Sequence, residues 1–211
     1  MRVFLFSVCM LLFSSSALNI EVVDTSKGCW TVMYYMASDN KYSTVTSRLI
    51  ENLSHLGFND EVSILVLRDG AEDGDSRLYL IGNHTLEDLS QLLGLPMEVD
   101  SSNPCLLERF CRFAMSNYPA SHYALFIISP GFGWQGLCLD CRKMNYFNFS
   151  SHLMSIVNLG RILCNITRDI ERIDILSLNM CLPSMIEVIS EVYRYVDFIV
   201  ATEADNAPLY V

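Results

Sequence analysis

Cys181 closes a short apolar run, Asp174-Ile-Leu-Ser-Leu-Asn179-Met-Cys181, and a thiol so placed can serve as a nucleophile. A second run, Tyr123-Ala-Leu-Phe-Ile-Ile-Ser129, stops at Pro130-Gly131. Both read as buried parallel strands, and in an open α/β sheet ligands bind in the crevice beyond the carboxyl ends of the strands. Neighbouring strands lie about 4.8 Å apart, so adjacency brings Pro130 and Cys181 to one crevice. A helix predicted to begin at Pro183 puts its N-terminus behind Cys181, where it favours the thiolate. The thiol also needs a base to take its proton and hand it to the leaving group. Among the histidines, His122 lies eight residues before Pro130 on the same run, about 26 Å away if extended. His55 and His84 fall in other connections, and His152 reaches the crevice only if its loop folds back.

Three other patterns carry possible chemistry. Gly131-Phe-Gly133-Trp-Gln-Gly136 has the spacing of a dinucleotide-binding turn, but Leu137-Cys-Leu-Asp-Cys141 follows where that turn needs a helix, and no acid stands some twenty residues on. Cys138-Leu-Asp-Cys141 has metal and redox spacing without a second ligand pair, so a local disulfide or two buried thiols is the expected state. Arg68 to Asp75 is acidic and glycine-rich but lacks the ordered spacing of an EF-hand, which leaves calcium as the one cofactor to consider and no metal site to assign.

The elements that must position these residues alternate. Trp30 to Met36, Val62 to Leu67, Arg77 to Ile81, the run ending at Ser129, Asp174 to Leu178 and Phe198 to Ala201 read as strands. Val45, Leu49, Leu53 and Leu56 recur at helical spacing, as do residues of Leu106 to Met115, of Leu153 to Ile166 with a break at Gly160, and of Met185, Ile186, Ile189 and Val192 up to Val196. This pattern predicts an α/β fold with a mainly parallel sheet and helices on both faces. At 211 residues and 51% hydrophobic content the chain builds one domain rather than two.

The N-terminus predicts an extracytoplasmic protein. Met1-Arg2, the apolar Val3 to Phe13 and Ser14-Ser-Ser16-Ala17 form a signal peptide over 1–17, with a polar arm over 18–27. No other segment is apolar for long enough to span a bilayer, so no membrane contact is expected once the signal is cleaved. Sequons at Asn52, Asn83, Asn148 and Asn165 suit a secreted eukaryotic chain, in which all four would be exposed. A net charge of −10 with no basic cluster excludes nucleic acid as a partner. Of eight cysteines Cys9 lies in the signal, and the odd number remaining allows up to three disulfides and one free thiol.

Trp30-Thr-Val-Met-Tyr-Tyr-Met-Ala-Ser-Asp39-Asn40, Tyr118-Pro-Ala-Ser-His122-Tyr-Ala-Leu with Gly131-Phe-Gly133-Trp134, and Cys181-Leu182 with Glu187-Val188 together resemble the clostripain-like cysteine peptidases, which have a caspase-like fold. The resemblance implies a domain over 28–211 that ends where the family usually continues. It implies that Cys181 stands at the nucleophile position and is the unpaired thiol, that Gly131 offers an oxyanion N–H, and that Asp140 is structural. It also implies two departures. Pro130 occupies the place of the base histidine, and Asn179 the place of an aspartate that selects a basic side chain beside the scissile bond. The expected protein is a secreted peptidase homologue that binds a peptide or protein ligand without cleaving it. An active cysteine endopeptidase with a recruited base and a non-catalytic interaction domain are the alternatives.

Overall fold

The computed structural model describes residues 28–56, 61–141, 152–168 and 172–204. The expected signal, the arm and Asn148 lie outside the described residues. Seven strands form one sheet in the order β4-β3-β2-β1-β5-β6-β7. These are β1 (Gly28–Ala37), β2 (Val62–Asp69), β3 (Arg77–Gly82), β4 (Thr85–Asp88), β5 (Ala120–Ile128), β6 (Ile173–Asn179) and β7 (Val196–Val200). β1 runs parallel to β2 on one side and β5 on the other, β6 and β7 continue in parallel, and β3 and β4 are antiparallel.

The period-two pleat sorts the apolar residues to two faces. Met33 and Tyr35 of β1, Leu65 and Leu67 of β2, Leu125 and Ile127 of β5, and Leu176 and Leu178 of β6 share one core with helices α3 (Pro104–Asn117), α4 (Ile156–Ile166) and α5 (Ile186–Val192). On the opposite face Met36, Ile64, Val66, Ile81 and Ile128 meet Leu49, Ile50 and Leu53 of α1 (Ser43–His55). Helices thus cover both faces of a mainly parallel sheet, as the alternating pattern predicts. Among the described residues α1 covers only part of its face, and Phe198 and Val200 at the β7 edge are 69% and 57% exposed.

Several boundaries differ from expectation, each for a local reason. β4 and a single helical turn, α2 (Ser90–Leu93), fall in a stretch to which the sequence pattern assigns no element; β4 is exposed at every position and so has no apolar alternation to reveal it. α4 passes through Gly160 unbroken. A Cβ there would lie 2.9 Å from the Glu191 carbonyl oxygen, so the glycine marks a close helix approach and not a stop. α3 begins at Pro104, its cap formed by Asn103, whose Oδ1 accepts from the Cys105 N–H at 3.0 Å. α5 starts at Ile186 and not at Pro183, and Ile186 is largely exposed while Val188 and Val192 are buried.

The chain leaves β1 toward β2 through α1 and returns to the other side of β1 through α3. Strand order therefore reverses at the β1–β5 boundary, where a crevice opens beyond the carboxyl ends.

Candidate functional site

A cavity of about 640 Å³ lies at this reversal. Three strand ends line it: Asn40, Lys41 and Tyr42 after β1, Pro130, Gly131 and Phe132 after β5, and Cys181 and Leu182 after β6, with Gln135, Leu139 and Cys141 closing the side. Ile128 pairs with Asn179 across β5 and β6, and the Ser129 N–H donates to the Asn179 carbonyl at 3.2 Å. Two residues further along each chain stand Pro130 and Cys181, at the same sheet edge on adjacent strands, as expected.

The loops that carry them are locked together by close packing. A Cβ on Gly131 would lie 2.7 Å from the Met180 Cβ, so no larger residue fits without displacing the residue before Cys181. Gly133 takes φ +56, which favours glycine, and packs against Met185. Phe132 N–H donates to the Gly136 carbonyl at 2.9 Å, closing the turn. The Gly-rich stretch is thus a packed turn into a 3-10 segment, Gly133–Gln135, which explains its spacing without a nucleotide.

Cys181 is half-buried and opens on the cavity. Leu182 after it takes φ +56, a costly conformation for a residue with a Cβ, and is held by its N–H donating to the Ala204 carbonyl at 3.3 Å. The Ser184 N–H adds a second tie, to the Thr202 carbonyl. Because this turn intervenes before α5, the thiol does not sit on a helix N-terminus, and the expected help from a helix dipole is absent. Asn179 lies beside the cavity without lining it. It is half-buried, and its Nδ2 donates to Ser177 Oγ at 3.1 Å.

None of the chain's four histidines lines the cavity. His122 is at the opposite sheet edge, bonded to Asp174 Oδ1 at 2.7 Å and stacked on Trp30. His55 bonds the Glu51 carbonyl in α1, and His84 makes the turn between β3 and β4 with φ +56. The His152 carbonyl accepts from the Asp140 N–H at 3.3 Å, but its ring is not among the lining groups.

The two cysteines of Cys138-Leu-Asp-Cys141 part company. Cys138 is fully buried, its thiol pushed up to about 12 by burial, while Cys141 is half-buried on the cavity wall. Burial and then the Asp39 and Asp140 carboxylates raise the Cys141 thiol. Neither the local disulfide nor the pair of buried thiols expected from the spacing forms, and all seven described cysteines are free. Asp140 is buried. In the acidic loop Asp75 pairs with Arg68 at 3.2 Å and accepts from the Gly70 N–H at 2.9 Å, so its oxygens already hold the turn. Of the sequons, Asn52 and Asn83 are exposed, whereas Asn165 is half-buried with its Nδ2 donating to Glu108 Oε2 at 3.1 Å.

One polar group escaped the sequence reading. Asp69, the last residue of β2, is fully buried; its Oδ1 accepts from Ser76 Oγ at 2.7 Å, while Oδ2 and the Ser101 hydroxyl have no hydrogen-bond partner. Burial pushes its carboxyl up to about 7, opposed by the Ser76 and Ser101 hydroxyls and aided by Asp140 and Glu98. Ser101 is thus near enough to bias the carboxyl, without the geometry of a hydrogen bond. Only its position at the end of an apolar strand could have flagged it.

Solved structures share this architecture. A secreted C11 cysteine protease from Bacteroides thetaiotaomicron bound to an irreversible peptide inhibitor superposes with TM-score 0.61 at 21% identity, over 84% of this chain and 50% of that one. An inactive zymogen C11 protease from Parabacteroides distasonis gives 0.58 at 19% identity, over 82% and 48%. This chain therefore spans about half the length of the solved structures it matches. No curated protein sequence matches it. The sequence profile of the clostripain family covers residues 33–208, most of the chain, and on that match the protein belongs to the clostripain family of cysteine peptidases.

Proposed function

We propose that this chain is a secreted clostripain-family homologue that binds a peptide or protein ligand in the Cys181 crevice and does not turn it over. The observation that carries this reading is Pro130 at the end of β5, across from Cys181, in a cavity that no histidine of the chain lines. Peptide cleavage by a thiol takes two proton movements, from the sulfur and then to the leaving amine. A proline ring has no lone pair or N–H for either. The Gly131 N–H, if it faces a scissile carbonyl, stabilises an oxyanion but moves no proton. Lys41 and Tyr42 on the opposite wall and the apolar Phe132 and Leu139 suit an extended peptide. Asn179, neutral where the family carries a carboxylate, weakens any preference for a basic side chain.

Secretion rests on the leader-like residues 1–17, and the Bacteroides thetaiotaomicron protease that shares this fold is itself secreted. One observation favours a second reading, an active peptidase with a recruited base: the His152 carbonyl lies one hydrogen bond from Asp140, the residue before Cys141. The test pairs a thiol-directed peptidyl probe with reporter peptides. Labelling at Cys181 without turnover is the expected result. Turnover that Cys181→Ala abolishes and His152→Ala also abolishes overturns it in favour of the second reading.

A further inference from the structure

We propose that Lys41 makes the crevice selective for acidic peptides, its ammonium pairing with an aspartate or glutamate side chain of the bound chain. The proposal rests on the peptide-binding reading and adds the chemical class of the ligand. Of the described residues that line the cavity, Lys41 alone carries a formal charge; the others present amide, aromatic, apolar and thiol groups. Lys41 is exposed, its ammonium lies 5.4 Å from the centre of the Tyr42 ring, and no described carboxylate pairs with it. The turn that presents both residues is held in place. Asn40 Oδ1 accepts from the Tyr42 N–H at 3.0 Å, and Asn40 Nδ2 donates to the Ala37 carbonyl at 3.0 Å.

Acids flank the cavity without lining it. Asp39 and Asp140 are 5% and 1% exposed, and their charge is felt at Cys141, whose thiol they raise together with burial. Glu203 lies beyond Leu182, beside the Ala204 whose carbonyl takes the Leu182 N–H, and is not a lining group. An acidic side chain is therefore repelled from the Cys141 side and meets Lys41 as its cation. A basic side chain finds no lining carboxylate among the described residues, and Asn179 beside the cavity offers only an amide bonded to Ser177 Oγ.

The spacing suits one extended peptide. Lys41 follows β1 and Cys181 follows β6, with β5 between them, so two strand spacings, about 9.6 Å, separate the strand ends that carry them. An extended chain rises about 3.3 Å per residue, so an acid about three residues from the one over Cys181 reaches Lys41. The net charge of −10 repels acidic ligands from the surface at large. A preference for them must then be local to Lys41 and disappear with it.

The experiment measures, by fluorescence polarisation, the affinity of heptapeptides with Asp, Asn or Lys at the centre of a neutral alanine and serine host. Their ends are acetylated and amidated, so that only the central side chain carries charge. The aspartyl peptide should bind about fivefold tighter than the asparaginyl one, the upper range for an exposed ion pair, and the lysyl peptide should bind weakest. Lys41→Ala should remove the aspartyl advantage, and Lys41→Glu should put the lysyl peptide first; because Lys41 is exposed, neither change disturbs the core. Equal affinities for the aspartyl and asparaginyl peptides in the wild type, or an aspartyl advantage that survives in Lys41→Ala, overturn the proposal and leave peptide binding standing. Failure of all three peptides to bind overturns the peptide-binding reading and this proposal with it.

Discussion

Asp69→Asn removes the one described carboxyl that the fold drives far from its ordinary range, and its effect on stability depends on pH in a direction that can be worked out in advance. The folded chain holds the Asp69 proton up to about pH 7, chiefly because the group is buried, whereas an unfolded aspartate releases it near 3.9. Between those values the folded state binds a proton that the unfolded state lacks, so this group's contribution to stability falls as pH rises and levels off above 7. Three units at 1.36 kcal/mol each amount to about 4 kcal/mol lost between pH 4 and pH 7. Asparagine is neutral throughout, keeps an oxygen for the Ser76 hydroxyl and offers an N–H toward the partnerless Ser101 Oγ. The variant should therefore match the wild type to within about 1 kcal/mol at pH 4 and exceed it at pH 8 by a few kcal/mol, up to about 4. Urea unfolding followed by the fluorescence of Trp30 and Trp134, at pH 4, 6 and 8, reads this difference. A gap that is independent of pH, or a variant less stable than wild type at pH 8, would refute the reasoning.

Three further outcomes follow from the packing. Gly131→Ala forces a Cβ to within 2.8 Å of the Met180 side chain and should cost about 1–3 kcal/mol in urea unfolding; unchanged stability means the two loops are not locked as described. Asn103→Ala removes the cap of α3 and should cost about 1 kcal/mol in the same assay. Expressed through a eukaryotic secretory pathway, the chain should carry glycans at the exposed Asn52 and Asn83 and none at Asn165, whose amide is tied to Glu108; mass spectrometry of the glycopeptides checks each site.

The strands that build the crevice were legible because their apolar runs are continuous, as in Asp174 to Leu178 and Tyr123 to Ile128, and because both stop where a loop must begin. The same contrast was missing at Thr85–Asp88, where an exposed edge strand buries nothing and leaves no periodic mark. Gly160 was misread as a helix break because its reason, the Glu191 backbone pressing against α4, is a contact between distant residues. The start of α5 was misplaced since Pro183 suits a first helical turn, yet the Leu182 N–H and the Ser184 N–H are taken by Ala204 and Thr202. Within the site, the order of motifs placed Pro130, Gly131 and Cys181 together. Nothing in the spacing told Cys141 from Cys138, because which thiol faces the cavity depends on a backbone turn at Cys138, φ +56, that no composition announces.

The central claim, that Pro130 is what silences the thiol, is tested most directly by Pro130→His. The adjacent strand ends place an imidazole about one strand spacing, 4.8 Å, from the Cys181 backbone, within reach of its sulfur. Each unit by which an imidazolium lowers a thiol's pKa raises the thiolate fraction at neutral pH about tenfold. The measurement is the rate at which a thiol-directed peptidyl probe labels Cys181, in wild type, Pro130→His and Pro130→His with Asn179→Asp, each first checked for its wild-type urea midpoint. The account predicts labelling about tenfold faster or more in the single variant, and turnover of arginyl reporter peptides appearing with the added carboxylate. Folded variants that label no faster than wild type would contradict it, and would place the cause of silence outside Pro130.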